Sequence, residues 1–456
     1  MLALLLSRRK GSKVRRPAVA AQLQKQFHAM PGLARRHAPE PSRVRCAVLN
    51  FLLACVAGDL SPVDAPAADD PAGYEELPGS TDGDDTSEPD DDDPAPDSDE
   101  ALWGCSDLFE QDRLPTYHLT LDRRTWNSLQ SEFTAHDGTK GYHDVEAFEV
   151  DGETLPDVSI RLKGNEGYSW VGTKMQFVIS FVEVNEDQRF HGQRHVAFDA
   201  TWYDPTLLNN RTATRFLRRL GQPAPCANNA LMYINDEYYG IYAHMEEPDR
   251  EYLERNFGKE NADGNLYKYG YELKNNPGAD TSRVDGWWSS YEFEDLERYG
   301  DPDQWVSEWA AEATMPDWDG YWISGHNYFI YDHPERGFMY LPWDLDATFG
   351  YYDATSYDPL TGIYWDYVPH ERSVLSQDEY EQRFIEYIAE YAEKFDAETM
   401  DAELLEWDDQ IRDWLDADPN KYYTIEEHDA RVIATRRGLG ERRDFLTAWA
   451  EYNLGR

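Results

Sequence analysis

Apolar and polar side chains alternate from Leu114 to Leu121, the two-residue period of a strand with one buried face. Asp122 follows where a helix cap belongs, ahead of an apolar stripe through Trp126 and Leu129. Ala147 to Val150 and Val158 to Leu162 read as a strand pair turning at Asp151-Gly152. Met175 to Phe181 is a strongly apolar strand, and Val196 to Phe198 a shorter one. Asp204-Pro205 is expected to open a helix, with Pro in its first turn, that runs through Leu208, Ala213, Phe216 and Leu217 and stops at Gly221. Ala230 to Ile234 and Gly240 to Met245 flank Asn235-Asp236, a hairpin signal with Glu237 to Tyr239 assigned to its loop. A second helix lies between Pro248 and Phe257.

After about residue 300 the spacing becomes helical: Trp305 to Ala313, Gly320 to Ile323, Glu379 to Phe395, Met400 to Leu415 and Ile425 to Tyr452. One hairpin interrupts it, Tyr328 to Tyr331 and Phe338 to Leu341 around 332–337. The fold class is therefore α+β, a two-lobed kinase-like layout with a ligand cleft between lobes. A β-rich N-lobe covers about 102–247 and a mainly helical C-lobe about 248–456.

The two ends of the charge distribution mark the segments before residue 102. The formal net charge is −45. Residues 1–55 carry 11 Lys and Arg against one acid; 56–100 carry 17 acids and no Lys or Arg. The folded remainder holds about −38. Such a surface repels nucleic acid and anionic membrane, and no basic, aromatic-interleaved patch offsets it. It suits a cationic partner, or serves solubility alone. Residues 56–101, with the run Asp90 to Asp93, bury too little apolar surface to order and read as a disordered acidic linker.

Ahead of the linker, residues 1–55 read as an export signal. A basic region with Arg35, Arg36, Arg43 and Arg45 precedes the apolar run Ala47 to Ala54, too short to span a bilayer. Leu52-Leu53-Ala54-Cys55 resembles a bacterial lipobox, which would acylate Cys55 and anchor the chain to a membrane through lipid alone; the alternative is an ordinary cleaved signal. The expected location is the cell surface or periplasm. An oxidising compartment also suits Cys105 and Cys226, the two of four cysteines outside the signal region. They are expected to pair, the alternative being two separate buried thiols.

The chemistry concentrates in Leu341 to Gly350. An apolar strand there delivers Asp344 and Asp346 to one loop, with Asp317, Asp319 and Asn327 upstream. Carboxylate and amide oxygens are hard ligands for Mg²⁺ or Mn²⁺. An Asp, then an Asn, a strand and a second Asp is the order in which kinase-like sites present base and metal ligands. Asp319 is the candidate general base, Asn327 and Asp344 are metal ligands, and Asp346 either assists or caps the next turn. Lys163 to Lys174 join two strands through a glycine-containing loop; Arg161, Lys163, Gly164 and Lys174 are candidates for the phosphates of a nucleotide. Glu246 or Glu247 would pair with Lys174 or touch the nucleotide at the lobe junction. Trp343 reads as core and His326 as structural.

These segments resemble the CotH kinase family, secreted atypical protein kinases that include a spore coat protein. The resemblance is carried by Ile160 to Asn165, Lys174, Tyr203 to Leu208, Tyr233 to Tyr242 and Glu246 to Asp249. Its most specific blocks are Trp318 to Tyr321, His326 to Tyr328 and Pro342 to Asp346. It implies a kinase-like fold, ATP, a divalent metal and phosphoryl transfer to Ser or Thr of a partner protein, with Asp319 as the catalytic-loop Asp and Asp344 as the metal-loop Asp. No His-Arg-Asp, Asp-Phe-Gly or Ala-Pro-Glu motif is present. The charge suggests a basic acceptor, and transfer to Ser or Thr suggests a Ser-rich one. Two other readings remain: a non-catalytic surface-binding, adhesion or coat-assembly protein on the same fold, and a metal-dependent hydrolase using the same carboxylates.

Overall fold

The computed structural model describes residues 104–165, 169–349, 354–364 and 369–455. The signal region, the acidic linker, residues 166–168 of the glycine-containing loop and Gly350 lie outside them. Strands β1 (Thr116–Thr120), β2 (His143–Asp144), β3 (Ala147–Val150), β4 (Glu153–Thr154), β5 (Ser159–Leu162), β6 (Phe177–Ser180), β7 (His195–Asp199), β8 (Ala227–Ile234) and β9 (Glu237–Glu246) form one nine-stranded sheet. Their order is β2-β5-β6-β7-β9-β8-β1-β3-β4, antiparallel except for β1 beside β8. A second sheet, β11-β10-β12-β13, is built from β10 (Leu266–Lys268), β11 (Glu272–Leu273), β12 (Tyr328–His333) and β13 (Gly337–Pro342).

Three local outcomes differ from the sequence reading. Strand β3 turns at Asp151-Gly152 into the short β4, whereas β5 pairs with β2 and β6, so 147–150 and 158–162 are not partners. The hairpin β8–β9 is tight: Asn235 and Asp236 both take positive φ (52° and 65°), and Glu237 already pairs with Ile234. The helix expected from Asp204 begins at Asn209, because Leu207 sits at φ 59° and breaks the helical path. Asp204 instead folds back, its Oδ1 accepting from Thr206 N and its Oδ2 from Asn209 N, each at 2.8 Å.

The helices are α1 (Arg123–Ala135), α2 (Asn209–Arg219), α3 (Arg250–Phe257), α4 (Ser282–Trp288), α5 (Phe293–Leu296), α6 (Pro302–Thr314), α7 (Tyr321–Ser324), α8 (Pro369–Val374), α9 (Asp378–Lys394), α10 (Ala397–Ala417) and α11 (Ile425–Leu454). Asp122 caps α1, as its position before the apolar stripe suggested, and Thr424 with Glu427 closes a capping box on α11. Among the described residues no helix is long and apolar enough to cross a membrane.

Strand alternation sorts the large sheet into two faces. Ile160, Leu162, Phe177, Ile179, Val196 and Phe198 point to one side and pack with Leu129 of α1. Val178, Ala197 and Met245 point to the other and meet Leu253 of α3, then Leu266, Phe329, Leu341 and Trp343 of the second sheet. The helices form a further core that includes Ala213, Phe216 and Leu217, so α2 packs with the helical part although it precedes β8 and β9. Cys105 and Cys226 form a disulfide with a sequence separation of 121.

Candidate active site

Two strand ends supply the upper half of the site. Leu162 of β5 pairs with Phe177 of β6, which pairs with Phe198 of β7, so Lys163 and Asp199 leave the same edge of the sheet on the same face, two strands apart. A lysine side chain spans that gap. Lys163 Nζ donates to Asp199 Oδ2 and, at 3.2 Å, to Asp344 Oδ2. Burial works against the ammonium, but Asp199 and Asp344 outweigh it and hold the Lys163 pKa above its usual value. Thr201 N donates to the other oxygen of Asp199 at 2.6 Å.

The lower half comes from β12 and β13. Their register sets Tyr328 opposite Pro342, and one step out Trp343 N donates to Asn327 O at 2.9 Å. Asn327 and Asp344 therefore meet at the mouth of the hairpin. Both have positive φ, 50° and 56°, a conformation that Asn and Asp tolerate better than most side chains. Asn327 Nδ2 donates to Asp319 Oδ2 at 3.1 Å and lies 3.5 Å from Asp344 O. Asp319 is positioned from behind: Asp317 Oδ1 accepts from Asp319 N at 3.1 Å. A Cβ on Gly320 would lie 1.8 Å from Glu312 Oε1 and 2.7 Å from Asp317 Oδ2, so this turn needs glycine.

Helix α2 pins the loop after Asp344. Asn210 Oδ1 accepts from Leu345 N at 2.7 Å, and Asn209 Nδ2 donates to the carbonyls of Asp346 and Thr348 at 2.8 and 2.9 Å. The result is a group of buried carboxylates that act on one another's charge. Burial pushes Asp344 up to about 7, with Lys163 opposing and Asp199 adding to the rise. Burial and then Asp344, Asp199, Asp204 and Asp319 push Asp346 well above the carboxylate range. Burial also raises Asp319, against His326 and Asn327.

A hard divalent cation fits these donors. Asp344 Oδ1 is a buried carboxylate oxygen with no hydrogen-bond partner, although the side chain as a whole is 25% exposed. Asn327 Nδ2 is turned to Asp319 and to Asp344 O, so its Oδ1 is the atom it could offer a cation. Among the described residues no three His, Cys, Asp or Glu side chains form a closed cage. Mg²⁺ does not require one, since it commonly uses one or two carboxylates plus substrate phosphates.

The structure brings together Lys163, Asn327, Asp344, Asp346 and Asp319, with Arg161 on the same sheet face. It does not bring Lys174 or Glu246. Lys174 lies ahead of β6, outside the strand alternation, and its Nζ donates to Asp418 Oδ2 at 2.6 Å and to Ile241 O at 2.5 Å. Glu246 pairs with Val196, on the face turned from the cleft, and its Oε2 accepts from Arg255 Nη2 at 2.5 Å and from Cys226 N at 3.0 Å. The next residue, Glu247, is the one that faces Arg161, Lys163 and Lys268. Gly164 takes φ 85°, and its carbonyl accepts from Lys140 Nζ at 2.6 Å.

Asp199 and Lys268 escaped the sequence reading. A carboxylate ending an apolar strand, two strands from the one that delivers Lys163, was the available signal for Asp199. Lys268 carried none, since β10 is only three residues long.

The family model for CotH kinase protein matches residues 160–446. The chain is 22% identical over 369 residues to inner spore coat protein H of Bacillus subtilis (strain 168), covering 71% of this chain and 93% of that protein. Looser likenesses to solved structures include the Helicobacter pylori proinflammatory kinase CtkA, at TM-score 0.31 and 7% identity over 62% of this chain and 93% of that one. The HipA–HipB toxin–antitoxin complex of Shewanella oneidensis MR-1 with its operator DNA matches at TM-score 0.31 and 15% identity, over 74% and 80%. An α+β fold with a Lys-Asp-Asn-Asp cleft is that of a kinase-like protein. The chain belongs to the CotH kinase protein family.

Proposed function

We propose that this protein transfers the γ-phosphoryl group of ATP, with Mg²⁺ or Mn²⁺, to a Ser or Thr hydroxyl of a partner protein, and that it does so outside the cytoplasm, tethered through a lipid on Cys55. The observation that carries the reading is the hydrogen-bonded line Asp319–Asn327–Asp344 beneath Lys163, with one buried oxygen of Asp344 unpartnered.

Asp319 is the general base in this scheme. It would accept the acceptor's hydroxyl proton, and its raised pKa suits a group that must take a proton and release it. Asn327 orients Asp319 through the 3.1 Å bond and offers its amide oxygen to a cation. Asp344 and Asp346 would hold the metal, which when bound neutralises phosphate charge. Lys163 would keep Asp344 ionised and aligned. The acidic surface favours a basic acceptor.

One observation favours a second reading. Lys163 already spans Asp199 and Asp344, so part of the site's negative charge is matched without a metal. A coat-assembly or adhesion protein that kept the fold without turnover would look the same. Calorimetry on the full chain separates them. ATP with Mg²⁺ or Mn²⁺ should bind wild type and Asp319→Ala alike, while Asp344→Ala loses the metal-dependent part. Three indistinguishable titrations would remove these roles.

A further inference from the structure

The cations offered by the strands of the two sheets and the glycine-containing loop differ in how their charge is used. Lys163 is bound between Asp199 and Asp344, and Lys174 is bound to Asp418. Arg161 donates through Nη1 to Leu162 O at 2.9 Å, with its guanidinium over the Tyr142 ring. Lys268, at the end of β10, is different. Its Nζ lies 5.4 Å from the ring centre of Tyr269 and 5.9 Å from that of Phe329. Among the described residues its ammonium makes no hydrogen bond or ion pair.

The charged groups facing Lys268 are Glu247, Lys163, Lys274 and Asp344. Asp344 is already held by Lys163, and Lys274 pairs with Glu272 at 3.2 Å near the surface. Glu247 makes no ion pair among the described residues, so it and Lys268 face one another without contact. Burial lowers the Lys268 pKa, and two aromatic faces return part of that cost. A half-buried ammonium within electrostatic reach of the candidate metal Asp, and without an anion in contact, is a site for one.

We infer that Lys268 binds a phosphate oxygen of the nucleotide's polyphosphate chain, the role that the sequence assigns to Lys174. The inference rests on the nucleotide reading above and adds to it a residue that supplies positive charge from the second sheet. Lys163 is poorly placed to do this alone, because its charge is matched by two carboxylates.

The test compares the full chain with Lys268→Met, which keeps the aliphatic stem, and Lys268→Arg, which keeps the charge. Each is titrated with ATP and with inorganic tripolyphosphate in Mg²⁺, and each is melted without ligand. A charge-assisted hydrogen bond is worth about 1.5–3 kcal/mol, so Lys268→Met should bind both ligands roughly ten- to a hundredfold more weakly. Lys268→Arg should retain most of the affinity. The unliganded melting temperature of Lys268→Met should stay level or rise, since an unpaired buried charge is gone. Lys268→Met binding within about twofold of a wild type that itself binds ATP overturns the role of Lys268 and leaves the nucleotide site intact. A drop in melting temperature with unchanged affinity per folded molecule overturns it in favour of a structural lysine. Absence of any wild-type binding removes the nucleotide reading and this inference together.

Discussion

Lys163 and Lys174 look interchangeable in the sequence: both flank a glycine-containing loop between strands. The structure separates them by face and register. Lys163 continues the alternation of β5 and arrives beside Asp199, while Lys174 turns to Asp418. Asp319, Asn327 and Asp344 were legible because one hairpin and one turn bring them together. Asp199 and Lys268 were not, because strand pairing between distant segments places them.

The same distinction applies to the acids behind the site. Glu308 Oε2 accepts from Tyr340 N at 2.9 Å and Glu312 Oε1 from Trp322 N at 3.2 Å, which reads as ordinary helix-face chemistry. Burial nevertheless pushes each up to about 8. Between the unfolded value near 4.5 and about 8, the native state therefore binds more protons than the unfolded chain. Their stabilisation is complete below that window and is lost as pH rises through it. Thermal melts should show stability falling from about pH 5 to about pH 8, with a smaller slope in Glu308→Gln and Glu312→Gln. An unchanged slope in both variants would contradict the assignment.

At the scale of elements, the long helices and the β12–β13 hairpin followed from periodicity and turn residues, and the β8–β9 hairpin did so except for Glu237 to Tyr239, which belong to the strand and not the loop. The start of α2 and the partner of β5 did not. A side chain, Asp204, displaced the helix start by folding back on its own loop, and pairing order in a sheet has no signature in a single strand. The loop between α10 and α11 also carried no signal, yet it fastens the glycine-containing loop of the large sheet. Tyr422 Oη donates to Lys174 O at 3.0 Å, and Thr173 Oγ1 donates to Asn420 Oδ1 at 3.3 Å. Asp418 Oδ2 accepts from Lys174 Nζ and, at 3.1 Å, from Ile241 N. Both charged partners are 2% exposed or less. Removing one member of such a pair leaves the other buried and uncompensated, which costs about 3–5 kcal/mol. Asp418→Ala should show that loss in chemical denaturation, and Lys174→Met on the same background should recover part of it. A cost below about 1 kcal/mol would mean the fastening is marginal.

For the whole molecule, two sheets and a helical core meet where Lys163, Asp199, Asp319, Asn327 and Asp344 converge. The two-lobed outline was legible from the gross order of strands and helices, although α2 joins the helical core from within the β-rich half. The family assignment agrees with the motif blocks around Asp319 and Asp344. The net charge of −45 and the signal-like sequence ahead of the folded part are the grounds on which a tethered enzyme with a cationic acceptor is proposed.

The most direct measurement is transfer of γ-labelled phosphate from ATP to a basic, Ser-rich protein by the full chain, in Mg²⁺ and then Mn²⁺. Wild type, Asp319→Ala and Asp344→Ala are run together. Label should appear on the acceptor with wild type, fall by about 10²–10⁴ with Asp319→Ala and vanish with Asp344→Ala. Equal labelling by all three, or none from a wild type that binds ATP and metal, would contradict phosphoryl transfer at this site.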